Sequence, residues 1–417
     1  MSHEIRIDDL AEPVLSDLQR SALAYGESQH TDLTVDAVLE RATGETGLDD
    51  FGPDDFHERL GLWLSEMDED PDAVGLARLI LFGNAVRYAS NRLRITDLLQ
   101  RRPEIHDVPF ERPVIVMGLP RSGTTNLVNL LGADQRFRSM PLWESYEPVP
   151  DPRETGGVDG VDPRWTRCNG MWEAMRATVP HVEAMHPMEP DHIHEEIELQ
   201  LPDFASYNQE WVSRAPKWRD HHLSHDQTPH YRYMRTALQI LQWLRPRERW
   251  VLKSPQHLEQ IGPLLSVFPD ATFVVTHRDP VAVVQSTATM MAYSARMAYR
   301  HTVPEWYVGY WTDRIRRLLE SSVRDRHLLP VDRTVDVYFD RYMADELGTL
   351  QRIHDVAGLE LTQEARRQID AHRRSHPRGG EGRVVYDLRR DFSVTPDEVR
   401  APFGFYFDRF DTRIEVT

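Results

Sequence analysis

Arg121, Ser122, Thr124 and Thr125 close the stretch VIVMGLPRSGTT, from Val114 to Thr125, in which four apolar residues run into a loop bearing Gly118 and Gly123. A strand, a glycine-containing loop and a helix N-terminus together make an anion site. Backbone N–H groups converge on the anion, and the helix dipole adds partial positive charge. The two glycines have the spacing of a nucleoside-triphosphate loop, but Thr124 stands where such a loop has its Lys, and Arg121 is the loop's one cation. The loop is thus better suited to a terminal 5′-phosphate than to a γ-phosphate with its Mg²⁺. A second anion site is expected after the apolar run ATFVVT, Ala271 to Thr276, where Arg278 is followed eight residues on by Ser286. Eight residues is about two helical turns past a short bend, so a planar guanidinium fork and a hydroxyl can converge on one further phosphate.

These two elements resemble the phosphate sites of the sulfotransferases that use 3′-phosphoadenosine 5′-phosphosulfate (PAPS). The resemblance extends to WVLKSPQH at 250–257, like the family's strand ending in a catalytic Lys. It extends also to Leu142-Trp143-Glu144, where the tyrosylprotein branch and a large bacterial branch carry a Glu. The stretch DVYFD at 336–340 is similar to the family's late Tyr-Glu-Asp strand, with Phe339 in place of the acidic residue. Together these motifs cover roughly residues 110–360. The resemblance implies an α/β, P-loop-like three-layer fold with a central parallel sheet flanked by helices. It further implies PAPS as donor, adenosine 3′,5′-bisphosphate (PAP) as product, and no metal.

By resemblance, Arg121, Ser122, Gly123, Thr124 and Thr125 hold the 5′-phosphosulfate, and Arg278 and Ser286 hold the 3′-phosphate. Tyr338 also belongs to the cofactor site. The family's late Arg-Lys-Gly loop has a counterpart in Pro377-Arg378-Gly379-Gly380, which lacks the Lys, so Arg378 is a further cofactor contact. Sulfuryl transfer requires charge neutralisation on the leaving phosphate, proton removal from the acceptor hydroxyl and in-line geometry, so positioning and charge stabilisation dominate. Arg121 and Lys253 are the expected leaving-group cations. The base is Glu144 or His257, with Glu195 and Glu196 as further candidates; a carboxylate serves if burial raises its pKa. His257 lies four residues after Lys253, whereas cytosolic sulfotransferases place their catalytic His two residues after the equivalent Lys.

Plainer readings compete. The loop could be a helix N-cap without a ligand, Lys253 an internal salt bridge, and Arg278 a partner of Asp279. His181, His186, His192, His194, His221, His222, His225 and His230 crowd one region, and could bind zinc in principle, but no Cys partner or H-E-x-x-H pattern supports this. They are expected to line an acceptor pocket or the surface. Trp165, Trp172, Trp211 and Trp218 could wall an apolar acceptor site, although large aromatics are more often core.

The elements that must position these residues follow from periodicity. Strands are expected at 114–118, 250–253, 271–276 and 334–338. Helices are expected at 124–132, 230–245, 256–267, 280–300, 305–322, 344–357 and 396–410, with a polar Arg-rich loop at 373–390. Alternating strands and helices imply a parallel sheet whose ligands bind at the strands' carboxyl ends. Residues 1–105 have helical periodicity (Leu15, Leu18 and Ala22 on one face; Leu60, Trp63, Leu64 and Met67 on another) and read as an N-terminal helical lobe. The α/β domain takes 106–360 with an acceptor-side insertion at 150–230, and 361–417 is a C-terminal extension.

The chain has 417 residues, a formal charge of −18, one cysteine (Cys168) and a 40% hydrophobic composition. Such a charge disfavours nucleic acid and acidic lipid surfaces as partners, and leaves the anionic cofactor to a few local cations. No apolar run is long enough for a membrane span, and the N-terminus has no signal pattern; these facts and the lone cysteine favour the cytoplasm. A small or lipid-like alcohol is the favoured acceptor, and a homo-oligomer is compatible with the sequence. The rivals are a P-loop nucleotide kinase and a non-catalytic nucleotide-binding protein.

Overall fold

The computed structural model describes residues 3–154, 157, 160–376 and 382–417. Seven strands are present among them: β1 (Glu4–Ile5), β2 (Val114–Gly118), β3 (Phe137–Arg138), β4 (Arg249–Ser254), β5 (Thr272–His277), β6 (Thr334–Tyr338) and β7 (Arg383–Val384). Five of them form one all-parallel sheet in the order β3-β4-β2-β5-β6. β2 is central and wholly buried, as a near-continuous run of β-branched residues in a two-sided parallel sheet should be.

The period-2 alternation of the strands sorts their side chains into two cores. Ile115, Met117, Leu252, Phe273 and Val275 enter one hydrophobic cluster. Val114, Val116, Val251, Val274, Val335 and Val337 enter the other, closed by helices Thr124–Gly132, Glu346–Ala357 and Gln363–Ser375. The fold is therefore α/β with helices on both faces of a parallel sheet. The order brings the carboxyl ends of β4, β2, β5 and β6 side by side, in register at Lys253 beside Val116, Gly118 beside Thr276 and His277 beside Tyr338.

Residues before 105 form helices Asp17–Ser28, Val35–Thr46, Phe56–Glu69 and Gly75–Arg101. Leu60, Trp63, Leu64 and Met67 are buried in the same cluster as Ile115 and Met117, so these helices share the core of the sheet's first face. Leu18 does not face that core. It is exposed, because the helix opens only after its Ser16 capping box and turns Gln19 and Gly26 inward.

Three other expectations change. The stretch 373–390 is not one loop, since helix Gln363–Ser375 reaches into it on buried Ala365 and Ile369, and β7 then pairs parallel with β1. The run at 396–410 is divided into Pro396–Arg400, Ala401–Phe403 and Gly404–Phe407. The run at 256–267 is divided into a 3-10 turn, Pro255–Leu258, and helix Ile261–Val267. Among the described residues no helix is long and apolar enough to cross a membrane.

Candidate active site at the carboxyl ends of the strands

The loop after β2 is built by two backbone constraints. Arg121 and Gly123 both have positive φ, at 62° and 83°, which turns the chain sharply into the helix that begins at Thr124. A side chain on Gly118 would place its Cβ 1.8 Å from Thr276 Oγ1, and one on Gly123 would meet the Phe339 ring at 3.0 Å. The loop is thus pressed between β5 and the segment after β6. Ser122 serves the loop itself: its hydroxyl donates to Leu119 O at 2.5 Å and lies 2.8 Å from Thr276 Oγ1. Thr124 is buried at the helix start and Thr125 half-buried beside it.

Two of the anticipated cofactor residues meet directly. Arg121 Nε donates to Ser286 Oγ at 3.1 Å, and Ser286 in turn donates to Tyr386 OH at 2.9 Å. A second arm of Arg121 donates to the Met185 carbonyl. Arg278 stands on the other side of the loop and donates to the Arg121 carbonyl. Its guanidinium lies 4.0 Å over the Phe339 ring. The plainer reading of Arg278 pairs it with Asp279, but the structure gives it Glu415: Nε and Nη2 reach the two carboxylate oxygens at 2.8 Å each. Asp279 instead caps the helix Pro280–Ser294. Tyr338 ends β6 with its ring stacked on His277, 4.9 Å between centroids. Arg378, with Gly379 and Gly380, lies outside the described residues.

Lys253 ends β4 with its side chain only 2% exposed, and its ammonium pairs with Glu195 Oε1 at 2.5 Å. The neighbouring Glu196 is fixed from two directions. It accepts from the Lys253 backbone N–H at 2.7 Å, and from His257 Nε2 at 2.5 Å. His257 is fully buried, and its Nδ1 accepts from the Tyr231 hydroxyl at 2.8 Å. Both ring nitrogens are thereby occupied in the core, which suits His257 to holding Glu196 and the end of β4 rather than to taking an acceptor's proton. Glu144 is likewise engaged: its Oε2 accepts from Arg138 at 2.6 Å and Arg245 at 3.0 Å. Two guanidiniums on one carboxylate oxygen fix Glu144 in place between Arg138 and Arg245. Glu195 is the carboxylate that the fold delivers to Lys253.

The histidines divide. His222 and His230 are buried away from the loop, with His230 on Asp203 at 2.5 Å, while His225 is exposed. His186, His192 and His194 form a chain of rings, 5.9 and 6.2 Å between successive centroids. Burial, then the Lys253 and Arg121 charges, push the His186 imidazole down to about 3. Burial with His186, His194 and Lys253 nearby depresses His192 well below its ordinary value. His194 Nε2 faces Glu198 at 3.3 Å. His186 Nδ1, His192 Nε2 and His194 Nδ1 are buried with no hydrogen-bond partner among the described residues. Unsatisfied ring nitrogens in this row, near Lys253, form a polar wall suited to a hydroxyl group. No group of three His, Cys, Asp or Glu side chains among the described residues is arranged to hold a metal ion. Of the four tryptophans, Trp172 and Trp218 are core residues and Trp211 packs partly buried against the core, while Trp165 donates to Asp191.

Two participants carried no usable sequence signal. Glu415 lies 137 residues from Arg278 and Tyr386 lies 100 residues from Ser286, so only the fold brings each pair together. Phe339 and His186 were visible, but not as a guanidinium platform and a neighbour of Lys253.

A family model for the sulfotransferase family matches residues 113–363. Two curated relatives, the omega-hydroxy-beta-dihydromenaquinone-9 sulfotransferases Stf3 of Mycobacterium bovis and Mycobacterium tuberculosis, are 28% identical over 134 residues, which is 30% of this chain and 34% of theirs. The chain thus spans about a third of the length of the curated relatives it matches. Sulfotransferase STF9 from Mycobacterium avium superposes with a TM-score of 0.82 at 25% identity, over 94% of this chain and 100% of that one. STF1 from Mycobacterium tuberculosis H37Rv gives 0.75 at 28% identity, over 90% and 100%.

Proposed function

The chain belongs to the sulfotransferase family, and from that premise we propose that it moves a sulfuryl group from PAPS to the hydroxyl of a small, lipid-like alcohol. The observation that carries the reading is the pairing of two cation seats across one loop. Arg121 and Lys253 flank the glycine loop after β2, while Arg278 and Ser286 face it from the end of β5 and the helix that follows. Two phosphates of one nucleotide fit that arrangement, and Gly118 and Gly123 let the loop pack against Thr276 and Phe339 where a Cβ would not fit. The carboxylate already seated on the Arg278 fork is itself a sign of an anion site.

The loop amides with Arg121, Thr124 and Thr125 would hold the 5′-phosphosulfate. Arg278, Ser286 and Tyr338 would border the 3′-phosphate, and Arg378 remains a further candidate. When bound, the cofactor supplies the sulfuryl group: the acceptor oxygen bonds to sulfur as the bond from sulfur to the phosphate oxygen breaks. Arg121 and Lys253 stabilise the negative charge that gathers on the leaving phosphate, in a site dry enough for that charge to matter. Glu195, with Oε1 on Lys253, keeps Oε2 for the acceptor's proton. Glu144 and its two arginines, and Glu196 with His257, position the elements on either side.

His186, His192 and His194 receive the acceptor hydroxyl through their unpaired ring nitrogens. A lipid-like alcohol is favoured because Stf3 is named for such an acceptor, omega-hydroxy-beta-dihydromenaquinone-9. Calorimetric titration with PAP and, separately, with ATP and Mg²⁺ tests the reading. PAP should bind the wild type, and Arg121→Ala should weaken it at least tenfold, as loss of a charge-assisted contact worth about 1.5–3 kcal/mol requires. Binding of ATP–Mg²⁺ without PAP would replace this reading with a kinase.

A further inference from the structure

The seat assigned to the 3′-phosphate already holds an anion of the chain's own. The segment after Phe410 runs across the start of helix Pro280–Ser294 and is attached there at three points. The Glu415 carboxylate accepts two bonds from Arg278 at 2.8 Å. The Glu415 and Val416 amides donate to Asp279 Oδ2 at 2.8 and 3.2 Å. Arg400 donates to the Val416 carbonyl. Arg341 donates to Asp411 and Val416 packs partly buried against the core, while Asp411, Arg413, Ile414, Glu415 and Thr417 are exposed and Ile414 lines a surface groove with Arg400, Gly404 and Phe407.

We infer that the 412–417 segment is an intramolecular competitor for the 3′-phosphate, with Glu415 holding Arg278 until a 3′-phosphorylated nucleotide displaces it. The inference rests on the reading of Arg278 as the 3′-phosphate seat.

The geometry gives the reason for exchange. A bidentate fork has one preferred planar partner at a time, and both arms of Arg278 that face Glu415 are in use. A 3′-phosphate brings about two negative charges where Glu415 brings one, so Arg278 favours the phosphate at close range. Asp279 is already committed to the amides of Val281, Glu415 and Val416. Once Glu415 leaves Arg278, the segment keeps its two amide bonds, Arg400 and the partly buried packing of Val416. Docking therefore lowers the fraction of chains ready for the nucleotide, and the apparent dissociation constant rises by the inverse of that fraction. Donor and product both carry the 3′-phosphate, so the same segment re-enters the seat as PAP departs and hastens its release. A nucleotide without a 3′-phosphate has nothing with which to displace it.

Arg413 provides the readout, since trypsin must draw the residues after it into its own cleft, and the bonds of Glu415 and Val416 to Arg278 and Asp279 slow that cleavage while the segment is docked. Cleavage is followed by mass spectrometry in the full chain, with PAP, with adenosine 5′-monophosphate and without nucleotide. PAP affinity is measured by calorimetry on the wild type, Glu415→Gln and, as a control of equal charge change, Glu364→Gln on the exposed face of helix Gln363–Ser375. PAP should speed cleavage about fivefold or more, and adenosine 5′-monophosphate should leave it unchanged. Glu415→Gln should be cleaved at the faster rate without nucleotide and bind PAP about five- to tenfold more tightly, as recovery of a mostly closed population requires. Unchanged cleavage on PAP binding overturns the inference, as does equal tightening by Glu364→Gln, which would make the effect one of overall charge. If PAP binds wild type and Glu415→Gln alike while Arg278→Ala still weakens it, the competitor is wrong and the seat stands. If Arg278→Ala leaves PAP binding untouched, the seat itself is wrong and the inference falls with it.

Discussion

Two cations at the ends of β4 and β5, the strands on either side of β2, each hold a carboxylate, and the two pairs are not equivalent. Lys253 pairs with Glu195 where their side chains are 2% and 14% exposed, and Arg278 pairs with Glu415 where theirs are 22% and 26% exposed. Glu195 is followed by Glu196, which His257 and the Lys253 amide fix to the end of β4. Glu415 hangs on a thinly packed segment. Desolvation makes separating the first pair costly, whereas water can replace either partner of the second. A resident carboxylate is thus a permanent part of one seat and a removable occupant of the other. That division suits a site in which charge must be managed at one end while a ligand comes and goes at the other.

The comparison breaks most readily at Lys253. Lys253→Ala should lower kcat by about 10²–10³, the range for losing one preorganised transition-state donor, while PAP affinity changes by less than about tenfold. A full-activity Lys253→Ala enzyme would remove Lys253 from the leaving-group role. The carboxylates give the next contrast. Glu195→Gln should cost about 3 kcal/mol of folding stability in urea titrations, since it leaves a buried ammonium poorly matched. Glu415→Gln should cost under about 1 kcal/mol. Equal costs would erase the distinction between the two pairs.

Arg278→Ala should raise the PAP dissociation constant by about 10- to 100-fold, as loss of contacts to a charged group of about 1.5–3 kcal/mol implies. At saturating donor, kcat should change little. In the Arg278→Ala background, Glu415→Gln should add nothing further, because the competitor has lost what it competes for. This double-mutant cycle separates coupling through Arg278 from a general loss of negative charge.

What the sequence disclosed follows the same line. The β2 loop was legible because its requirements are local: an apolar run, two glycines at fixed spacing and a helix start within twelve residues, Val114 to Thr125. Strand β5 with Arg278 and Ser286 was legible for the same reason, and so was the parallel sheet. The partners were not, because they arrive through tertiary contact. Glu144 reads as a free acid until Arg245, 101 residues on, is placed beside it. His257 reads as a candidate base until Glu196 and Tyr231 take both its nitrogens. Strand β3 is two residues long and carries no periodicity. β7 was hidden in an Arg-rich stretch because its partner β1 lies at the other end of the chain.

The smallest expected effect reports on the Lys253 end through His186. Burial and the nearby Lys253 and Arg121 charges set its folded-state value at about 3, against an ordinary value of 6.5. The unfolded chain therefore binds more protons than the folded one between those two values, and the sign of the linkage is fixed: stability rises with pH through that window and is fully present above 6.5. As pH falls below 6.5, His186 should contribute a loss of at most about 1.4 kcal/mol per pH unit, less to the extent that water reaches the ring. Urea midpoints measured between pH 7 and 5 should fall, and His186→Asn should flatten part of that slope. Lys253→Gln should raise the His186 titration midpoint in NMR, because one of its depressing charges is gone, whereas Arg278→Gln should leave it where it is. A His186 midpoint that ignores Lys253 would mean that the imidazole row is not electrostatically part of the Lys253 seat, and the acceptor wall would have to be sought elsewhere.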